Sequence, residues 1–418
     1  MNTIMLSLTV GAVLIVPAAA SCAETAATHP YPGGAEADIW VLAGQSNMQG
    51  SGLITREYKA NPKILMFGLN NEWMPAVPPT HRVYTAAAPV FKNLIMAKNP
   101  GVTEEAWKKM SDGEARKPAG LIGPDLSFAE SIVSATGRNI GLLPCALGAT
   151  SMADWNPANN DQGALSLYGN MIERIRMVGG RIKGVLWYQG ESEAGSQATI
   201  DGFPTAFLNL VDSIRRDTAI PDLPFIYVQI SRFCYENQNS ASGWEAIREQ
   251  QRRVASSRPN LWMVPAIDLP LDDLIHIGGP GQERLGRRLA EVALTYVYSV
   301  KGHGTPIDFQ SYEILPASDA LHNSMRLRFT GVTGALQAKG RPAGFELRSD
   351  DPQKDGPMVY KVEFDPSDPA AVIVWYSKAI TSPLTLYYGA GLNPYVNLTD
   401  SLDMAVPAFG PITIELKR

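Results

Sequence analysis

Five short apolar runs, separated by longer stretches with helical spacing, constrain this chain more than any other feature. The runs are DIWVLAG (38–44), NIGLLPCAL (139–147), GVLWYQG (184–190), PFIYVQIS (224–231) and LWMVPAIDL (261–269). Continuous apolar runs of this length suit strands buried on both faces, as in a parallel sheet covered by helices on its two sides. The segments between them supply such helices: LSFAESIVSAT (126–136), WEAIREQQRRVASS (244–257) and GQERLGRRLAEVALTYVYSV (281–300). The last places its apolar residues on one face and its arginines on the other. This alternation predicts an α/β fold, a three-layer parallel-sheet domain over residues 38–300. Tyr84–Gly123 breaks the rhythm and reads as an insertion beside the active face. Beyond Lys301 the texture changes. MRLRF (325–329), YKVEF (360–364), VIVWY (372–376), LTLYY (384–388) and ITIEL (412–416) are separated by Gly/Pro/Asp turns. They predict a smaller C-terminal β-rich domain over 301–418.

The N-terminus carries an apolar run, Ile4–Val16, followed by Pro17 and the small residues Ala18, Ala19 and Ala20. This order is that of a secretory signal peptide, here 1–23, with 24–37 as linker. The run falls short of the ~20 apolar residues a membrane span needs, so export to the periplasm or the medium is expected rather than a stable span. Cys22 offers a lipid-anchoring position, but Ala19-Ala20-Ser21 before it lacks the leucine such sites carry.

Composition removes several chemistries. A net charge of −5 without a long basic run argues against nucleic-acid binding. Three cysteines and no C-x-x-C pair make neither a disulfide scaffold nor a zinc or redox site, and Cys145 and Cys234 read as buried free thiols. H-E-x-x-H, paired histidines and a Walker loop are all missing, so neither metal nor cofactor is expected. The sequence assigns no oligomeric state.

What remains is a constellation at strand ends. Gly44-Gln45-Ser46-Asn47-Met48 follows the first apolar run, and a serine at the carboxyl end of a leading parallel strand lies where open α/β sheets form their ligand crevice. A serine hydroxyl needs a base to act as nucleophile, and the base needs a carboxylate to fix its tautomer. Of the five histidines, His29 lies in the linker, His81 follows a Pro-Pro turn, and His303 and His322 fall beyond the α/β region. His276 follows the last strand and is flanked by Asp272 and Asp273, of which Asp273 reaches its ring within one turn of a loop. Gly148, after the second run, lets backbone approach a ligand closely, and the Gln189 amide, after the third, is a side-chain donor. Both are candidate donors to a developing oxyanion; taken singly, Gly148 also reads as a simple turn and Gln189 as a loop-capping amide. Ser192, the nearest approach to a G-x-S-x-G elbow, is flanked by two carboxylates that oppose its ionisation.

GQSNMQG (44–50), CALGATSMADWNP (145–157), WYQGESEA (187–194) and DDLIHIGGPGQERLGRRLA (272–290) resemble the blocks of SGNH-type esterases, in particular the carbohydrate-esterase branch of sialate O-acetylesterases and some acetylxylan esterases. The segment 386–411 resembles the C-terminal β domain of sialate O-acetylesterase-like proteins. The resemblance implies Ser46 as nucleophile, His276 as base, Asp273 as its partner with Asp272 as the alternative, and Ser46 N–H, Gly148 N–H and Gln189 as the oxyanion hole. Glu191, Gln45 and Asn47 would then face substrate, and Trp155 is a candidate sugar platform. The implied partner is an acetylated carbohydrate, either a 9-O-acetyl sialate or an acetylated xylan or other polysaccharide. A catalytically silent carbohydrate-binding protein on the same fold is the contrasting expectation, and a lipase or thioesterase is disfavoured by the lack of a long apolar lid. Asn397-Leu398-Thr399 is a glycosylation sequon.

Overall fold

The computed structural model describes residues 28–415 apart from 33–35, 117–119, 237–240, 318–321 and 350–354. The expected signal segment and Cys22 lie outside the described residues. The first nine strands are β1 (Ala37–Gly44), β2 (Gly52–Leu53), β3 (Ile64–Phe67), β4 (Trp73–Pro75), β5 (Leu121–Ile122), β6 (Asn139–Pro144), β7 (Gly184–Tyr188), β8 (Phe225–Gln229) and β9 (Leu261–Pro265). The helices are α1 (Ser46–Gln49), α2 (Pro89–Lys98), α3 (Glu104–Arg116), α4 (Asp125–Thr136), α5 (Leu167–Met177), α6 (Gln197–Asp217), α7 (Ala241–Val254) and α8 (Gly279–Tyr296). None of the helices among the described residues is long and apolar enough to cross a membrane.

A seven-stranded sheet in the order β4-β3-β6-β1-β7-β8-β9 forms the centre, parallel throughout except for β4. Each of the five apolar runs supplies one of its strands. β7 and β8 are buried along their whole length, as strands covered on both faces must be. The chain steps from β1 to one side to reach β6 and to the other side to reach β7, β8 and β9. Right-handed crossovers therefore send α4 to one face and α5, α6 and α7 to the other. α8 returns to pack along α4, and α6 packs on α7. The α4–α8 contact is close at Gly286, where an added Cβ would fall 2.1 Å from the Pro124 carbonyl oxygen. The edge pair β3 and β4 is an addition to the five expected strands. The 84–123 insertion forms α2 and α3, and Lys98 at the end of α2 reaches the carbonyl of Ala149 at 2.7 Å, beside the sheet's carboxyl edge.

After α8 every strand pairing is antiparallel. β10 (Asp308–Ile314), β11 (Asn323–Thr330), β12 (Gln337–Ala338), β13 (Phe345–Ser349), β14 (Val359–Phe364), β15 (Ala371–Tyr376), β16 (Leu384–Tyr388), β17 (Leu398–Thr399) and β18 (Phe409–Ile414) complete the chain. They form a four-stranded sheet β10-β11-β15-β14, a three-stranded sheet β13-β16-β18 and the pair β12-β17. The C-terminal sheets are stitched to the parallel sheet by polar side chains. Gln229, at the end of β8 and wholly buried, donates to the Ala408 carbonyl at 2.8 Å and accepts from the Ala408 N–H at 2.9 Å. Arg248 donates to the carbonyls of Ser231 and Gly391, each at 2.7 Å.

One expectation for α8 needs correcting. Its arginines do not share an exposed face. Arg287 is exposed, but Arg288 has a side-chain exposure of 1% and grips Asp268 with two bonds of 2.7 Å. Of the two thiols expected to be buried, Cys145 is and Cys234 is half-exposed.

Candidate active site

β1 ends in a conformation that a side chain resists. Gly44 has φ of +123°, and a Cβ there would stand 2.1 Å from the Tyr188 carbonyl oxygen of β7. That carbonyl instead receives the Gln45 N–H at 2.8 Å, and the chain turns at once into α1. Ser46 is the first residue of this short helix and is half-exposed at the carboxyl edge of the sheet. The 266–278 segment crosses from β9 to the same edge. There His276 Nε2 lies 3.0 Å from Ser46 Oγ, and His276 Nδ1 lies 2.7 Å from Asp273 Oδ2.

The two aspartates divide their tasks. Asp273 Oδ1 accepts the N–H groups of Ile275 at 2.8 Å and His276 at 2.7 Å, which folds the loop back so that Oδ2 meets the imidazole. Burial would raise the Asp273 carboxyl, but the bonds from the His276 ring and these N–H groups hold it below the ordinary carboxylate range. Asp272 points away from His276 and accepts from Leu53 N–H at 2.8 Å and Gly279 N–H at 3.2 Å, tying β2 to the start of α8. Among the other histidines, His81 is wholly enclosed, and burial pushes its ring down to about 3, so it stays neutral in the core. His303 pairs with Glu291 at 3.0 Å.

Asn47 is a clamp more than a contact for substrate. Only 1% exposed, it donates to Glu191 Oε1 at 3.0 Å and accepts from Ile277 N–H at 3.0 Å, joining the loops after β7 and β9 around His276. Gln282 of α8 donates to the Asn47 carbonyl at 3.2 Å and had no signal in the sequence. Gln45 is buried and accepts from Ser192 Oγ at 3.3 Å. Trp155 is fully enclosed, donates to Thr150 Oγ1 at 3.1 Å and meets Trp187 edge-on, so it offers no face to a sugar ring.

Two of the expected oxyanion donors carry hydrogen bonds within the protein. Gly148 does lie against Ser46: a Cβ built on it would be 3.4 Å from Ser46 Cβ. Its N–H, however, donates to Gln49 Oε1 at 2.7 Å. Gln189 is wholly buried, with its amide on Glu193 and, at 3.4 Å, on the Thr150 carbonyl. The one cue to Gln49 in the sequence was spacing: three residues after Ser46 on a helical turn is the same face.

Glu191 gives the site its electrostatic character. Its Oε2 has no partner among the described residues, and burial raises its carboxyl to about 7 against the pull of Asn47 and of nearby His276. A carboxyl raised in the folded state contributes stability in full below its unfolded value, about 4.5, and loses it as pH rises through about 7. Glu191→Gln keeps the acceptor for Asn47 and removes the charge. Its melting temperature is therefore expected to gain on the wild type as pH rises from about 4.5 to about 7. Parallel melting curves for the two proteins across that range would refute the buried charge. Among the described residues no cluster of three or more His, Cys, Asp or Glu side chains is disposed to hold a metal.

A family model described as carbohydrate esterase, sialic acid-specific acetylesterase, matches residues 36–295. A protein of Arabidopsis thaliana described as a probable carbohydrate esterase is 30% identical over 265 residues, which cover 62% of this chain and 90% of that protein. The fold is similar to that of a carbohydrate acetylesterase from Xanthomonas citri, with 21% identity, a TM-score of 0.64, and 89% of this chain and 80% of that one covered. A solved structure from Arabidopsis thaliana matches at 26% identity and a TM-score of 0.47, covering 62% of this chain and 98% of the other.

Proposed function

The chain belongs to the carbohydrate-esterase family described as sialic acid-specific acetylesterase, and from that premise we propose that it removes O-acetyl groups from sugar hydroxyls through an acetyl-Ser46 intermediate. The observation that carries this reading is the relay Asp273–His276–Ser46, joined by contacts of 2.7 and 3.0 Å. In the first half-reaction Ser46 Oγ attacks the acetyl carbonyl while His276 Nε2 takes its proton. The tetrahedral adduct then expels the sugar oxygen, which receives that proton from His276. In the second half a water attacks the acetyl-serine, His276 takes a proton from it, and collapse returns that proton to Ser46 Oγ as acetate leaves. Asp273 keeps its charge throughout, orients the ring and stabilises the imidazolium. The Ser46 N–H, at the first helical position and without an intrahelical acceptor, faces the developing oxyanion. The intact relay favours an enzyme over a silent binding protein.

We assign the chemistry to residues 38–300 and take 9-O-acetyl sialic acid as the preferred substrate, with acetylated xylan as the alternative. The N-terminal apolar run supports export as the setting for such a substrate. Acetate release is measured across 9-O-acetyl sialic acid, acetylated xylan and acetylated xyloglucan. The largest kcat/KM is expected on the sialate. A larger value on xylan or xyloglucan overturns that choice, and no acetate from any of the three overturns the esterase.

A further inference from the structure

The oxyanion hole expected from sequence has three donors, and in the structure two of them are committed elsewhere. Gly148 N–H is taken by Gln49 Oε1 at 2.7 Å, and the Gln189 amide is taken by Glu193 and Thr150 in a site without solvent exposure. A single N–H aimed at one acceptor serves a second one poorly, because hydrogen-bond strength falls steeply away from linearity. Acyl transfer needs more than the Ser46 N–H alone.

We propose that Gln49 is a further catalytic residue, whose side-chain Nε2 amide, anchored through Oε1 on Gly148, donates to the oxyanion formed at Ser46. The proposal rests on the reading of Ser46 as nucleophile. Three observations lead to it. The first is place: the point where a Gly148 Cβ would stand is 3.3 Å from Gln49 Oε1 and 3.4 Å from Ser46 Cβ, so carboxamide and nucleophile border the same spot. The second is availability: Gln49 is half-exposed, and its Nε2 has no acceptor among the described residues. The third is rigidity of the anchor. The loop bearing Gly148 is held by Leu147 N–H on the Gly44 carbonyl at 3.2 Å, by Thr150 Oγ1 on the Leu147 carbonyl at 2.7 Å, and by Lys98 on the Ala149 carbonyl. An amide whose oxygen accepts a backbone N–H is fixed in orientation and polarised toward stronger donation from its nitrogen. Gln49 moves no proton. It places one N–H where charge develops, and the Gly148 N–H acts through it.

The test uses the full chain and 4-nitrophenyl acetate, with Gln49→Ala and Gln49→Glu beside Ser46→Ala, and melting curves to show that each variant is folded. Glutamate retains an acceptor for Gly148 N–H but offers no N–H. Both Gln49 variants are expected to lose roughly 10²–10³-fold in kcat with KM within a few-fold of wild type, the usual loss for one oxyanion donor. Near-wild-type kcat in Gln49→Glu with a fall in Gln49→Ala would mean that Gln49 only holds the Gly148 loop, and overturns the proposal. Unchanged or faster turnover by Gln49→Ala would mean that its oxygen merely covers Gly148 N–H until substrate displaces it, which overturns the proposal equally. Wild-type turnover by Ser46→Ala would instead overturn the nucleophile assignment, an outcome separate from both.

Discussion

Replacing Ser46 with alanine is expected to lower acetate release by roughly 10³-fold or more while leaving the melting temperature unchanged. The two halves of this expectation have separate origins. Ser46 Oγ makes its side-chain bond to His276 Nε2 at 3.0 Å, and the residue is half-exposed, so truncation opens no cavity in the core. The turn that presents it is held by backbone bonds, Gln45 N–H to the Tyr188 carbonyl and Gly50 N–H to the Ser46 carbonyl, which alanine keeps. Activity has no such reserve. On the proposed mechanism no acetyl-enzyme forms without the hydroxyl, and His276 would have only water to activate. Residual turnover then reports what the remaining donors achieve alone. A variant that folds and still hydrolyses acetyl esters at the wild-type rate would show that another group, or a directly activated water, carries the reaction.

The second large effect concerns stability. Arg288→Met is expected to destabilise the fold by about 3–5 kcal/mol, the usual cost of removing one partner from a buried ion pair. Methionine replaces the aliphatic stem of the side chain, so the loss falls mainly on polar groups. Asp268, with 7% side-chain exposure, forfeits two bonds of 2.7 Å and keeps Arg284 at 3.3 Å, and the Asp403 carbonyl loses a donor at 2.5 Å. Asp268 lies between β9 and the loop that carries Asp273 and His276, while Asp403 lies in the turn between β17 and β18. The same substitution should therefore lower activity at temperatures where the fold still holds. Urea titration of the two proteins measures the difference, and a loss below about 1 kcal/mol would show that the pair is replaceable by packing, as some buried ion pairs are.

The sequence carried the centre of this molecule and lost its edges, for physical reasons. β1, β6, β7, β8 and β9 are buried on both faces and read as unbroken apolar runs. β3 offers only Ile64–Phe67, and β4 is three residues ending in a proline, too little for either period to register. β10, DFQSYEI, has no buried residue and is mostly polar, so it resembles a loop. Arg288 was placed on the wrong side of α8 because periodicity counts every arginine as polar. Its partners Asp268 and Asp403 lie 20 and 115 positions away, beyond any local pattern.

The site follows the same logic. Parallel strands gather their carboxyl ends, which is why Ser46 and His276 could be paired across 230 positions. Which of two adjacent aspartates faces the ring depends on the Asp273 turn, and which way Gln189, Asn47 and Trp155 point depends on packing that spacing does not encode. Gln49 was visible only as a residue one turn from Ser46, and the bond it receives from Gly148 N–H was not legible at all.

The Gln229 side chain pairs with Ala408 through both its carbonyl and its amide, much as a neighbouring strand would. A side chain standing in for a strand links the fortunes of the two sheets. Peeling the C-terminal strands away would bare a buried amide at the tip of β8 and strip Arg248 of the Gly391 and Leu392 carbonyls. In this chain, then, the parallel sheet and the C-terminal strands share buried polar groups that neither satisfies alone. A shortened chain ending after α8 would leave Gln229, Arg248 and Arg288 without their partners at Ala408, Gly391 and Asp403, and apolar replacements at 229, 248 and 288 are expected to offset that loss.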